Sequence, residues 1–533
     1  MGRLGRPDHP GGRDFIDLLR RFLLLLWPPG LTAVNLVMIA KDASIVRYTK
    51  DFFLKFVLSG LLGTLSVVTV LTFWSRPAWA IPAFARKYDL PCSVCHVPSF
   101  PKLNDFGNIF RDHGYQLETE QDLPTFEGLT KGYWPVSLRT TVGYQLANLT
   151  NAGGTGGPPP TTNVNTATGS FGFTGLDVLS FGVLARDISF GIVYTPQLQS
   201  GGFFTDAGKN DLEAVFLKLD NLFQSSYLLN LKVGKYELDL PASEHRSPTL
   251  NTPFVMYHYV AGTPYLSAGL AENAFAFVNP NNFGIGDNQT GIELFGIKDI
   301  PGGDYFRYSL NALSNSNITG SNSAGTLDGG RGINFYGHVT QSFGGYGVVS
   351  GQRVGVFGAY GDAPTLQNPG CPAGGCGPIA GNGEPFYRVG LDASLTALNQ
   401  FNLILAGMRA VDSKDLLATT VGAPNCVAPC TAKDAVWYGG FAEFDYNPIQ
   451  LPTWLFSYRW DFIRNDQQGQ STNPRKYNDV DSHTLMARYN FLVSSRTDAT
   501  LHLEYNYTQD KGVGSAFGDR IANTFLIAFD FAL

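Results

Sequence analysis

Charge is scarce in this sequence. Only 15% of its 533 residues are Asp, Glu, Lys or Arg, against about 25% in soluble globular proteins. The formal net charge is −6, and no basic cluster is large enough to suggest nucleic acid as a partner. Long apolar runs are nearly absent too. The single one lies within residues 51–80, and mean hydropathy over the chain is −0.04, which excludes a bundle of membrane-spanning helices. A zinc site of the usual kind is missing as well, because the first two of the six cysteines have no second Cys/His pair nearby. What is abundant is glycine, phenylalanine and tyrosine, at 61, 39 and 24 residues. Low charge at neutral hydropathy is expected when lipid-facing and lumen-facing residues alternate and cancel along each strand.

From residue 136 onward the period is two, not 3.6. Trp454, Phe456, Tyr458, Trp460 and Phe462 share one face, while Ser457, Arg459 and Asp461 take the other. Leu501, Leu503, Tyr505 and Tyr507 alternate with His502, Glu504 and Asn506 in the same way. A soluble sandwich also alternates, but aromatic residues crowded at strand ends fit the girdles of a membrane barrel. Strands are expected at 136–148, 171–184, 188–198, 211–220, 226–236, 289–299, 305–314 and 333–343. The second half adds 350–360, 386–397, 400–412, 434–446, 452–464, 481–492, 497–509 and 520–533. The fold class is therefore all-β, a transmembrane antiparallel barrel of about 16 strands. Its lumen is wide enough for water or a plug.

Connection lengths alternate. Arg186-Asp187, Leu398-Asn399 and Val493–Thr497 are tight, whereas 149–170, 237–288, 315–332, 361–385, 413–433 and 465–480 are long. Short periplasmic turns and long external loops produce that alternation in outer-membrane barrels. The last strand places Phe525, Ile527, Phe529, Phe531 and Leu533 on one face up to the terminus. Loops 149–170, 361–385 and 413–433 carry little charge, which suits an acidic exterior, although plain flexible polar loops read the same way.

Lys50 and Lys55 precede an apolar core from Phe56 to Phe73, and Ala78-Trp79-Ala80 supplies a small-residue cleavage site. That is the layout of a secretory signal removed on export. A retained membrane anchor is the competing reading, for which the core is short. Residues 1–50 are unusual for a signal, being Arg-rich with a second apolar patch at Leu23–Trp27, and translation from Met38 is the expectation. Three regions result: an extension and signal peptide at 1–80 with cleavage after Ala80, a short segment at 81–135, and a barrel at 136–533.

The short segment carries the chemistry. Cys92-Ser-Val-Cys95-His96 is the C-x-x-C-H pattern that attaches a c-type haem. One turn presents two thiols for thioether bonds and an imidazole for iron, so Cys92 and Cys95 are the covalent anchors and His96 the proximal ligand. A disulfide or half a zinc site is the competing reading. Phe100, Leu103, Phe106 and Phe110 follow near helical spacing, and Gly114 would end that helix. Candidates for the second axial position are His113, His245, Met256 and His258; the last three lie in loop 237–288, which is long enough to fold into the lumen. A methionine there would raise the haem potential relative to histidine. Segment 81–135 is too small for an independent core, so shelter inside the barrel is expected. Arg139, Arg459, Arg488, Glu443, Asp445, His502 and Glu504 would line the lumen around it. The other cysteines, Cys371 with Cys376 and Cys426 with Cys430, suit disulfides in an oxidising compartment. Their pairing is open, within each pair or between the two loops.

The run Pro101-Lys-Leu-Asn104-Asp-Phe-Gly107, then Phe110 and Gly114-Tyr115, resembles the signature of fused monohaem cytochrome–porins of the outer membrane. These include the Fe(II)-oxidising cytochromes of acidophilic and neutrophilic bacteria. The resemblance spans the whole exported chain, with one departure: the family usually has Asn before the final Gly-Tyr, where this chain has His113. It implies one covalent c-type haem in the outer membrane, on the periplasmic side or within the lumen. Electrons would pass from extracellular Fe(II) or another donor to a periplasmic carrier such as a soluble cytochrome c, an iron:cytochrome c oxidoreductase type of activity. Two other functions fit the sequence, an outward-directed conduit to external acceptors and a substrate porin whose haem is structural or sensory.

Overall fold

Strict alternation builds the wall. The computed structural model describes residues 83–88, 90, 94–96, 102–117, 136–155, 162–196, 211–250, 252–259, 261, 265–266, 285–286, 288–300, 304–314, 333–345, 350–364, 383–413, 432–470, 479–493, 498–511 and 519–532. Sixteen antiparallel strands close a barrel in sequence order, each paired with its chain neighbours. The first, β1 (Val136–Thr155), meets the last, β16 (Arg520–Ala532), from Arg139↔Ala532 to Thr150↔Ile521. Closure removes every sheet edge, as a bilayer demands.

Side chains divide as their period requires. In β13 (Trp454–Gln470) Arg459 and Asp461 are fully buried inside, while Tyr458 and Trp460 are exposed outside. In β15 (Asp498–Lys511) His502 and Glu504 face in and Tyr505 faces out. Near the short-turn end an outer ladder of rings runs Phe401–Tyr446–Phe456–Trp454–Tyr489, with centroids 4.8 to 6.5 Å apart. Near the long-loop end Phe335, Tyr360 and Tyr387 sit side by side in register and are exposed. These are the two aromatic girdles of a membrane barrel.

The remaining strands are β2 (Thr162–Ala185), β3 (Ile188–Thr195), β4 (Asp211–Leu219), β5 (Asn230–Tyr236), β6 (Gln289–Ile300), β7 (Asp304–Ser314) and β8 (Ile333–Phe343). They continue with β9 (Gln352–Pro364), β10 (Gly383–Ala397), β11 (Phe401–Asp412), β12 (Ala432–Tyr446) and β14 (Asp479–Val493). Residues 149–170 are not the loop expected from their composition. Strand β1 runs on to Thr155 and β2 begins at Thr162, the two pairing as far as Thr155↔Thr162 across an irregularity between Leu149 and Gly153. Thr suits a pleated surface, and Asn151 tolerates the left-handed φ of 59° there. β13 likewise runs on to Gln470, into the expected loop 465–480. β5 starts later than expected because residues 221–229 form an irregular turn stapled by Asn221 N–H donating to Asn230 Oδ1 at 2.7 Å.

Two stretches fill the lumen. The first holds helix α1 (Ala83–Tyr88) and helix α2 (Asp105–Asp112). The second leaves the wall after the seven-residue β5 and includes the one-turn helix α3 (Val255–His258). Arg459, fully buried, holds this second stretch by donating to Thr249 Oγ1 at 3.1 Å, Thr252 O at 2.6 Å and Pro253 O at 3.1 Å. Glu504 accepts from Leu250 N at 2.8 Å and from the Thr252 hydroxyl at 2.7 Å. A buried charge needs partners, and the loop supplies them to Arg459 and Glu504. The expected signal, start and cleavage positions (residues 1–80, Met38, Ala80), Leu533, and Cys371, Cys376, Cys426 and Cys430 lie outside the described residues.

Candidate functional site

Helix α2 and the turn before it form one unit. Asn104, fully buried, accepts from Gly107 N at 2.8 Å and so caps the helix start. Its Nδ2 donates to Val94 O at 2.9 Å, and its backbone N–H donates to Cys95 O at 3.0 Å. Gly107 is required by close approach, since a Cβ there would lie 2.1 Å from Cys95 O. The helix ends as its sequence suggests: His113 caps it, and Gly114 follows at φ 78°.

His96 Nδ1 lies 3.2 Å from Lys102 O. A carbonyl only accepts, so Nδ1 is the donor in this contact, and a neutral ring so placed would have its lone pair on Nε2, the tautomer of an iron ligand. Cys95 and His96 line a cavity of about 520 Å³, within the roughly 300–1,000 Å³ of cofactor sites. Leu103, Phe106 and Phe110 form its apolar floor, with Phe84 and Tyr88 of α1 beside them. Phe84 meets Phe110 edge-on at 5.0 Å and stacks on Tyr115 at 5.4 Å. The barrel contributes Leu138, Leu179, Phe181 and Phe216, and Arg139, Arg246 and Arg307 also line the cavity. The lining also holds Asp177, Glu213, Glu237, Asp239, Glu244 and Glu293, and the three arginines are paired with carboxylates, so what fits a macrocycle is the apolar face beside Cys95 and His96. Cys92 lies outside the described residues.

Buried ion pairs fix this segment to the wall. Lys102 Nζ is 2.5 Å from Glu443 Oε1 and also contacts Asp445 of β12. Burial alone would lower the Lys102 pKa, but these carboxylates outweigh it and raise it. Asp112 bonds Arg307 of β7, which also pairs with Asp239. Burial opposes ionisation of Asp112, yet Arg111 and Arg307 hold its carboxyl well below the usual range. Asp239 behaves alike beside Arg307 and His338. His338 continues the chain to Asp392 at 2.9 Å. Lys218 of β4 donates to Arg111 O at 2.8 Å, a cation at the helix C-terminus.

The sequence-named residues separate cleanly. Arg459, Arg488, Glu443, Asp445, His502 and Glu504 are buried in the lumen as expected, and Arg139 is half-buried there. Of the four second-ligand candidates, only His245 lines the cavity. The His113 ring stacks on Tyr227 with centroids 4.1 Å apart. Met256 is buried in the lumen core against β12, and His258 Nε2 is 2.7 Å from Glu244 Oε2. Sequence reasoning missed Lys102, Asp112, Asp239, Arg307 and His338. For Lys102 and Asp112 the available signal was charge inside a segment too small for its own core, which demands partners once buried. Among the described residues no group of three or more His, Cys, Asp or Glu is arranged to hold a bare metal ion.

A closed sixteen-stranded barrel with an apolar outer band and a charged lumen is an outer-membrane barrel of porin-like architecture. No family model and no curated protein matches the chain. Among solved structures it is similar to the anion-selective porin from Comamonas acidovorans, at 12% identity and TM-score 0.43, over 75% of this chain and 99% of that one. It is also similar to OmpT, an outer-membrane protein of Vibrio cholerae, at 10% identity and TM-score 0.40, over 75% and 97%. A third is OprB of Pseudomonas putida, at 13% identity and TM-score 0.40, over 76% and 95%.

Proposed function

We propose that this protein is an outer-membrane electron-transfer protein carrying one covalent c-type haem, similar to the fused cytochrome–porins. It accepts electrons from extracellular Fe(II) and delivers them to a periplasmic carrier. The observation that carries this reading is the shared lining of one apolar cavity by Cys95, His96 and the aromatic face of α2. Cys92 and Cys95 would hold the haem covalently and His96 would ligate its iron. Bound there, the haem would supply reversible one-electron chemistry.

The chain's own residues do the rest. Asn104 and Gly107 keep the ligand turn against α2, and Lys102 Nζ–Glu443 and Asp112–Arg307 hold α2 to the wall. Lys102–Glu443, Arg307 and Lys218 lie toward the short-turn end of their strands, the periplasmic side in an outer-membrane barrel, where a carrier can approach. A substrate porin is the competing reading of the fold. Two stretches bonded to the inner wall, at 102–117 and at 237–250 with 252–259, favour the electron-transfer reading over a wide open pore.

The test is reduction of the purified, exported protein by Fe(II), followed optically. Reduction of the haem is expected. Haem that stays oxidised at acidic and at neutral pH would remove Fe(II) as the donor.

A further inference from the structure

We infer that His245, supplied by the lumen loop after β5, is the second axial ligand of the haem iron; this rests on the haem reading above. The loop is built to present it. Glu244, immediately before, accepts from Phe254 N at 2.8 Å and binds His258 Nε2 at 2.7 Å. Arg246, immediately after, donates to Glu237 Oε2 at 2.6 Å, and its backbone N–H donates to Ser243 Oγ at 3.0 Å. Ser243 in turn bonds Glu237, and Ser247 N–H donates to Glu244 O at 3.2 Å, closing the turn. Both neighbours are thus pinned to the loop, and the imidazole between them is exposed and lines the cavity that Cys95 and His96 also line.

Its competitors are occupied. His113 is stacked on Tyr227, Met256 is enclosed by the lumen core, and His258 is bound to Glu244. Among the described residues the His245 ring makes no hydrogen bond, so ligation breaks none there. A histidine on each side of the haem gives a low-spin iron at lower potential than a His–Met pair.

The experiment uses the full exported protein, with haem content measured as the pyridine haemochrome and spin state read by optical and electron paramagnetic resonance spectra. Wild type is expected to be low-spin. His245→Ala is expected to convert it to high-spin at unchanged haem content, with added imidazole restoring the low-spin spectrum. His245→Met is expected to remain low-spin with a potential shifted upward. Heat-dependent gel mobility checks that each barrel is folded. A low-spin spectrum that survives His245→Ala, or is lost instead in His113→Ala, Met256→Ala or His258→Ala, overturns the assignment, as does a high-spin wild type. Each of those outcomes leaves the haem reading standing. Wild-type protein without covalent haem overturns both.

Discussion

Asn104 Nδ2 donates to Val94 O at 2.9 Å while Asn104 Oδ1 accepts from Gly107 N at 2.8 Å. One buried amide therefore joins the turn bearing Cys95 and His96 to the first turn of α2. Asn104→Ala removes a helix cap worth about 0.5–2 kcal/mol and leaves Val94 O without this donor. Hydrogen exchange over residues 102–117 should quicken several-fold while the strands keep their protection. Unchanged exchange in that segment would refute the staple.

Gly107 tests the same junction by crowding. A Cβ would meet Cys95 O at 2.1 Å, and overpacking of this kind costs about 1–3 kcal/mol. Gly107→Ala is expected to lower haem occupancy in exported protein without altering barrel folding, read as haem-to-protein ratio alongside gel mobility. Full occupancy would show that the turn can move away freely.

Lys102 sits between two buried carboxylates, Glu443 and Asp445. Removing one partner of a buried pair costs about 3–5 kcal/mol. Lys102→Ala should therefore release the segment and raise single-channel conductance in planar bilayers above the wild-type value. Equal conductance from both proteins would mean that the ion pair does not hold the segment in the lumen.

Acid should spare the pairing of Asp112 and Asp239 with Arg307. Burial opposes ionisation of Asp112 and Asp239, but the guanidiniums beside them depress both carboxyls. A depressed carboxylate contributes stability that is present above its unfolded pKa, about 3.9, and is lost only as pH falls through the folded value. Asp105 has the opposite sign: burial raises it, so its contribution is present below the unfolded pKa and fades as pH rises through the folded one. Protection of residues 105–112 is expected to persist from pH 7 to pH 4, and to weaken in Asp112→Asn across that range. Wild-type protection lost between pH 5 and 4 would contradict the pairing.

Much of the wall was legible because lipid on one side and charge on the other force a period of two. Trp460 out and Arg459 in could be read from neighbours alone. The extension of β1 to Thr155 and of β2 from Thr162 was hidden, because Thr, Asn and Gly serve loops and exposed strands equally. The end of α2 at Gly114 was local and therefore readable. The choice among His113, His245, Met256 and His258 was not. It depends on Tyr227 and β12, remote in sequence from His113 and Met256, and on Glu244, which the folded loop brings onto His258. Lys102 was overlooked for the same reason, its carboxylates lying some 340 residues away.

The most direct test is the mass of the exported protein and of its proteolytic peptide containing Cys92, Cys95 and His96. One haem bound covalently to that peptide, absent from a Cys92→Ser/Cys95→Ser variant whose barrel still folds, is the expected result. A wild-type peptide with two unmodified thiols or a Cys92–Cys95 disulfide, recovered from cells competent in c-type haem attachment, would contradict it.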